Sequence, residues 1–445
     1  MKPSKDPYPE DVPKPKMSLR QGLSMLRGDI FRSEFVHSVA ETFTARLAVI
    51  LIGVVTTSVT ARVLGPEGRG LYAVALAIGA IGSQIGNLGL HASNTYYVSS
   101  NRELLPQLVA NTLMVSFFFG GTCAGLAWII FLMWPAISPM HGRMLIFALI
   151  WVPFGLAYML LQNLLLGINE VRTFNLIELT TKILTIVLIA FLIVLKFVSV
   201  QSLFSVALAM LILSFGWALW RLLGQASVAI RPSFVLFKDN LRYGIKAYLG
   251  ASFAFLVLRI DLLMVQHMLG TREAGYYSVA VSMADLVFML PVVIGTILFP
   301  KLSAMAGYDR KRAFAKNVAI IVAAIMGIVS LLSILFAGPA IRILFGKAFI
   351  PAVPAFIWLM PGIMALSVNV IFMNFFASTG MPWITVYSPA AAAILNLALN
   401  LKLIPYMGIK GASVSSTICY TLMLLASSSF LFRQASRHAS EPSNL

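Results

Sequence analysis

Residues 64–76 read LGPEGRGLYAVAL, and residues 269–281, 205 positions later, read LGTREAGYYSVAV. Six of the thirteen aligned positions are identical: Leu64/Leu269, Gly65/Gly270, Gly70/Gly275, Tyr72/Tyr277, Val74/Val279 and Ala75/Ala280. Each copy follows one long apolar run and opens another, so each reads as a glycine-rich turn between two membrane helices. The number of helices between the copies then fixes the symmetry. An odd number inverts the second half in the membrane; an even number repeats it in the same orientation.

Composition makes that count possible. Of 445 residues, 59% are hydrophobic and 11% charged, whereas a soluble domain keeps about a quarter of its residues charged. This is an all-α, polytopic membrane protein. A hydrocarbon core of ~30 Å needs about 20 helical residues. Twelve runs qualify: 38–62, 71–98, 106–134, 143–167, 174–196, 201–223, 243–267, 276–300, 315–337, 352–378, 383–402 and 411–432. Six of them separate the two copies, so the repeat is parallel. The expected plan is two parallel six-helix lobes, 38–223 and 243–432. A basic arm (1–37), a linker (224–242) and a short tail (433–445) complete the chain. Parallel repeats of this kind place a transport site near mid-membrane, between the halves.

The net charge of +17 sits largely in the arm and loops. Its bias toward the N-terminal side, with Lys238, Arg242, Arg310, Lys311 and Arg312 among the contributors, predicts cytoplasmic termini. Charge so distributed suits anionic membrane lipids rather than nucleic acid. Residues 17–36 carry Leu19, Leu23, Leu26 and Ile30 at helical spacing with Arg20, Arg27 and Arg32 between them. They read as an amphipathic surface helix or as a disordered basic arm. Residues 1–37 lack the apolar run of a cleavable signal, so the first span is expected to be an uncleaved anchor. Cys123 and Cys419 lie in apolar runs and read as structural thiols. The sequence holds no Walker A, GxSxG, HExxH or CxxC pattern, so neither an enzyme nor a metal or cofactor site is expected. An ion gradient, of protons or sodium, or the substrate gradient must supply the free energy.

Ionisable groups within spans are expensive in lipid and are candidates for function. Arg46, two turns into the first span, either meets an anionic headgroup from the cytoplasm, snorkels to the interface, or pairs with Glu41. Arg259 and Asp261 are two residues apart and point to different faces of one helix, so each needs a partner elsewhere. Asp285 shares a stripe with Ser278 and Ser282 near the bilayer midplane. It reads as a proton or cation site, or as a hydrogen-bonded structural acid. Glu178 and Lys182 have the i, i+4 order of a helical ion pair, and Lys182 can instead contribute to a basic lumen. Gln84, Asn87, His91 and Asn94 in span two, Asn369 and Asn374 in span ten, and Asn396 and Asn400 in span eleven are polar. Such groups glue helices together or contact sugar hydroxyls. Pro153, Pro291 and Pro361, with Gly86 and Gly89, mark points where spans can bend.

Three segments carry a family likeness. Residues 62–75, RVLGPEGRGLYAVA, resemble the first-loop signature of polysaccharide transporters in the multidrug/oligosaccharidyl-lipid/polysaccharide exporter superfamily. Residues 259–280, RIDLLMVQHMLGTREAGYYSVA, resemble the signature at their seventh span, including its acidic residue, here Asp261. Residues 396–420, NLALNLKLIPYMGIKGASVSSTICY, resemble their Asn-x3-Asn, Leu-Ile-Pro, Gly-x2-Gly-Ala pattern. The resemblance implies a MATE-like, V-shaped bundle with a cationic central cavity. It implies a flippase similar to O-antigen translocases, moving oligosaccharide units on undecaprenyl diphosphate from the inner to the outer leaflet of the bacterial inner membrane. It gives Arg46, Arg259 and Lys182 a role against the diphosphate. Asp285 and Asp261 become candidates for ion coupling, and Gln84, Asn87, His91, Asn94, Asn369 and Asn374 for the polar lumen. Polysaccharide polymerase and glycosyltransferases are the implied partners. Two other readings stand beside it. One is an ion-coupled drug or metabolite exporter of the same superfamily, which would favour lumenal carboxylates. The other is a non-transporting scaffold of a polysaccharide assembly complex, which would not need charges inside its spans.

Overall fold

The computed structural model describes residues 33–225 and 231–440, with side chains for 48–225 and 231–433. Most of the arm expected over 17–36, and the side chain of Arg46, lie outside the described residues. Every regular element among the described residues is helical. The first half comprises α1 (Ser33–Gly86), α2 (Leu90–Ser100), α3 (Leu105–Met114), α4 (Gly120–Met133), α5 (Arg143–Gly167), α6 (Val171–Val194) and α7 (Val200–Leu223). The second comprises α8 (Phe234–Leu269), α9 (Thr271–Ala304), α10 (Tyr308–Leu335), α11 (Ala337–Phe345), α12 (Val353–Ser378), α13 (Ile384–Met407) and α14 (Ile409–Ser440).

Among the described residues, eleven helical stretches are long and apolar enough to cross a bilayer. The difference from twelve lies in α1, which holds the first predicted run and most of the second. The turn copies explain how. Gly65 (φ 67°, ψ −179°) breaks the helix for one residue, and Pro66 restarts it, a position its fixed φ and missing N–H suit. Gly270 takes the same conformation (φ 92°, ψ 176°) between α8 and α9. Positive φ at both points is why both copies keep glycine there.

Other boundaries also differ from the hydropathy reading. The second run, expected to be continuous over 71–98, breaks at 87–89, where Leu88 and Gly89 both have positive φ. The third run is interrupted by a π-turn, Val115–Phe119, joining α3 to α4. Helix α8 begins at Phe234, inside the segment expected to be linker. Ser233 caps it by accepting from the Leu236 N–H, and Asn111 of α3 pairs with the Ser233 backbone in both directions at 2.9 Å.

The two halves meet where α1 and α2 pack on α8 and α9. The contact is reciprocal about the repeat. A Cβ on Gly70 would lie 1.8 Å from the Thr271 carbonyl oxygen, and one on Gly275 would lie 1.8 Å from that of Pro66. Pro66 and Thr271 are themselves repeat equivalents. Around this crossing the identical pairs Tyr72/Tyr277, Val74/Val279 and Ala75/Ala280 are all buried in one core. The exterior is apolar instead: Phe191, Val194, Ile328, Leu335 and Ile394 are each more than half exposed, as lipid-facing side chains must be.

Candidate functional site

Arg259 of α8 and Asp285 of α9 form an ion pair, Nη2 to Oδ2, at 3.0 Å. Arg259 lies ten residues from the Leu269 end of α8, about 15 Å along the axis at 1.5 Å per residue. The pair is therefore deep in the bundle, yet its side chains keep 33% and 43% of their surface open. The α9 stripe shows what they open into. Ser282 lies one turn before Asp285, and Arg69 of α1 reaches it from the other half, Nη2 to Oγ at 3.4 Å. The stripe therefore runs along the seam where the two halves meet.

Asp261, two residues further along α8, is buried. It accepts hydrogen bonds from the Tyr277 hydroxyl, from Ser416 Oγ of α14 at 3.1 Å and from the Leu262 N–H at 2.8 Å. Three donors on α8, α9 and α14 converge on one carboxylate, so Asp261 ties the second half together. A hollow of ≈ 290 Å³ lies in that half. Tyr420, Asn369, Thr385 and Lys246 are among its lining residues, and Lys246 Nζ sits 5.0 Å from the Trp383 ring centroid.

The amides mostly join helices. Asn94 is buried, donates to Thr112 Oγ1 of α3 at 2.9 Å and accepts from Asn240 of α8 at 3.3 Å. Gln84 donates to Ser252 of α8 at 3.2 Å. Asn87 Nδ2 lies 2.8 Å from His91 Nδ1, bridging the break between α1 and α2. Asn369 accepts from Ser427 of α14 at 2.7 Å, and Asn374 donates to its own helix at Val370. Asn396 and Asn400 are buried and bonded to each other at 2.9 Å. Glu178 and Lys182 do not pair: Lys182 is exposed on α6 while Glu178 is half-buried. The carboxylate that does pair nearby is Glu170, between α5 and α6. It holds Arg221 at 2.9 Å and accepts from Thr173 at 2.6 Å. The Thr173 hydroxyl, then Arg221, hold its carboxyl below the usual range.

Three cross-half residues escaped the sequence reading. Arg62 of α1 donates to the carbonyls of Leu344 (3.0 Å) and Ile343, at the end of α11. Gln266 of α8 donates to the Pro139 carbonyl, in the α4–α5 connection, at 2.7 Å. Gln266 lies 205 residues after Ala61, beside Arg62, so each half clasps the other by nearly equivalent positions. Arg69 is the third. Hydropathy left Arg69 between two runs, but the helix resumes at Pro66 and carries Arg69 into the seam. The signal was in the repeat itself: Arg69 aligns with Ala274 in a copy that otherwise matches closely.

Two sequence-related helical halves packed along a seam, with an arginine–aspartate pair beside it, make a polytopic all-helical membrane protein. The chain belongs to the polysaccharide biosynthesis protein family, which residues 35–306 match. An uncharacterized membrane protein of Methanocaldococcus jannaschii is 28% identical over 192 residues, 42% of this chain. That match spans only 38% of the relative's length. Among solved structures, the inward-facing form of a multidrug resistance MATE family transporter overlays with a TM-score of 0.72 at 14% identity, covering 90% of this chain and 99% of that one. The lipid II flippase MurJ in an inward closed conformation gives 0.66 at 15% identity, covering 89% and 87%. An outward-facing MATE family transporter gives 0.60 at 14% identity, covering 88% and 96%.

Proposed function

We propose that the protein is a flippase that carries polyprenyl-diphosphate-linked oligosaccharide units from the cytoplasmic to the outer leaflet of the inner membrane, by alternating access of the cleft. The observation that carries this reading is the Arg259–Asp285 pair, partly open and one turn along α9 from the point where Arg69 of the other half reaches Ser282. An arginine there meets a diphosphate by charge-assisted, often bidentate hydrogen bonds. Asp285 holds the guanidinium in place when the cleft is empty. It must give it up, or take a proton or cation, when an anion arrives. Membership of the polysaccharide biosynthesis family supports the substrate class, and a fold shared with a lipid II flippase supports the mode of transport.

In this reading the Gly65 and Gly270 turns face outward and both termini face the cytoplasm. The clasps at Arg62 and Gln266 keep the outer side shut. Surface-polysaccharide polymerase and glycosyltransferases are the partners such a flippase would serve. The test is reconstituted flipping of a defined lipid-linked sugar. Wild-type protein should move it and Arg259→Ala should not, while Asp285→Asn should weaken any dependence on the ion gradient. Export of organic cations with no movement of the lipid-linked sugar would replace this reading with the drug-exporter one.

A further inference from the structure

Arg69 is 6% exposed, and the fold gives its charge almost nothing. Its Nη2 makes one long contact, to Ser282 Oγ at 3.4 Å. Its guanidinium lies 5.7 Å from the Tyr72 ring centroid, and its Nε has no partner. Among the described residues no carboxylate forms an ion pair with it. A buried cation without a counter-charge is strongly destabilising, so its presence in the seam needs a compensating gain elsewhere in the working cycle.

The position of Ser282 indicates that gain. It precedes Asp285 by one turn of α9, about 4.5 Å along the axis, and Asp285 holds Arg259. Two guanidiniums, one from each half, therefore meet adjacent points of a single stripe. The scaffold requires neither. Arg69 aligns with Ala274 and Arg259 with Val54, so each copy of the repeat builds its turn without the other's arginine.

We propose that Arg69 and Arg259 together form the diphosphate site, each taking one phosphoryl group, and that Arg69 thereby links substrate arrival to parting of the seam. Arg259 is the more open of the two and binds first. The second phosphoryl group draws Arg69 out of the seam, which removes its packing against Ser282 and loosens the crossing at Gly70 and Gly275. This deepens the flippase reading and rests on it.

The test compares polyprenyl diphosphate with polyprenyl monophosphate, bound by the full chain in lipid nanodiscs, with inorganic pyrophosphate as soluble competitor. Wild type should prefer the diphosphate and be competed by pyrophosphate. Arg69→Met should lose that preference, weakening diphosphate binding roughly 10–100-fold, as loss of a charged hydrogen bond predicts, while monophosphate binding stays. Arg69→Lys should keep most of the preference. Arg69→Gln carries the same expectation if Arg69→Met does not fold. Arg259→Ala should weaken both lipids. If the neutral variants keep the wild-type preference while Arg259→Ala loses binding, Arg69 is not part of the site and the flippase reading survives. Wild-type protein that binds neither lipid overturns both.

Discussion

Removing the Arg62 clasp should open the seam from the side of the two turns. Arg62 gives two charge-assisted hydrogen bonds to the last carbonyls of α11, where a cation also meets the negative end of the helix. Such bonds contribute ~1.5–3 kcal/mol each in protected settings. Arg62 is exposed, so about 1–2 kcal/mol for the pair is the appropriate scale after solvent screening. That is roughly a 5–30-fold change in the ratio of shut to open forms. Ser278, 4% exposed on the α9 stripe, is a suitable reporter because Ser278→Cys nearly preserves its size. In a background lacking Cys123 and Cys419, an impermeant maleimide is added from the side of the turns. When opening and closing are fast, the labelling rate follows the open population. Arg62→Ala should raise it roughly 5–30-fold. Gln266→Ala, which loses one neutral hydrogen bond, should raise it less, and the double variant should approach the product of the two effects. An unchanged rate in Arg62→Ala would show that the clasp does not hold the seam.

Three further outcomes test the packing. Gly70→Ala and Gly275→Ala each place a Cβ 1.8 Å from a backbone oxygen of the opposite half, so either should force the turn end apart and speed the same labelling; normal labelling of a folded variant would contradict the crossing. Asp261→Ala leaves the Tyr277 and Ser416 hydroxyls without their acceptor, which should cost about 2–5 kcal/mol and lower the thermal midpoint by several degrees; an unchanged midpoint would remove Asp261 from the framework. Glu170 titrates below its ordinary value, held there by the Thr173 hydroxyl and Arg221, so its contribution is present at neutral pH and is lost as pH falls through its lowered folded-state value. Glu170→Gln should therefore flatten the acid limb of the stability curve, and an identical limb would assign that loss to other groups.

The repeat made the fold legible, because its identical positions are the ones packing forces to be alike. Gly65 and Gly270 hold a backbone conformation other residues resist, and the buried Tyr, Val and Ala pairs share one core. Hydropathy located the helices but not their interruptions. A single residue at Gly65 or three at 87–89 barely alters a window average, although each redirects the chain. The partners of Arg259 and Asp261 were not legible. Arg259 reaches 26 residues along the chain and Asp261 reaches 155, to Ser416, so only the rotation of each helix about its axis decides those contacts. The same lack of rotation hid the use of Asn94 and Gln84 as ties between helices. Arg69 was misplaced for a different reason: charge near a turn reads as solvent-exposed loop, whereas here the turn is one residue long and Arg69 is buried.

The places where the copies differ argue for an asymmetric site on a symmetric frame. Arg259 aligns with Val54, Asp261 with Thr56 and Asp285 with Ala80. All three charges thus stand in the second copy, while the first contributes Arg69. The turn and crossing cannot be the reason for them, since the first half builds both with neutral residues at those positions. Asp261 is then the compensation that lets the second half hold its helices together by hydrogen bonds, where Thr56 bonds only within its own helix, to Ile52. That firmer second half holds the Arg259–Asp285 pair at a fixed depth. The first half carries an arginine without a carboxylate partner among the described residues, and its cost falls only when the seam opens or an anion reaches it. In the proposed cycle the second half binds and the first half, with its strained arginine, yields, a division that two equal lobes would not provide.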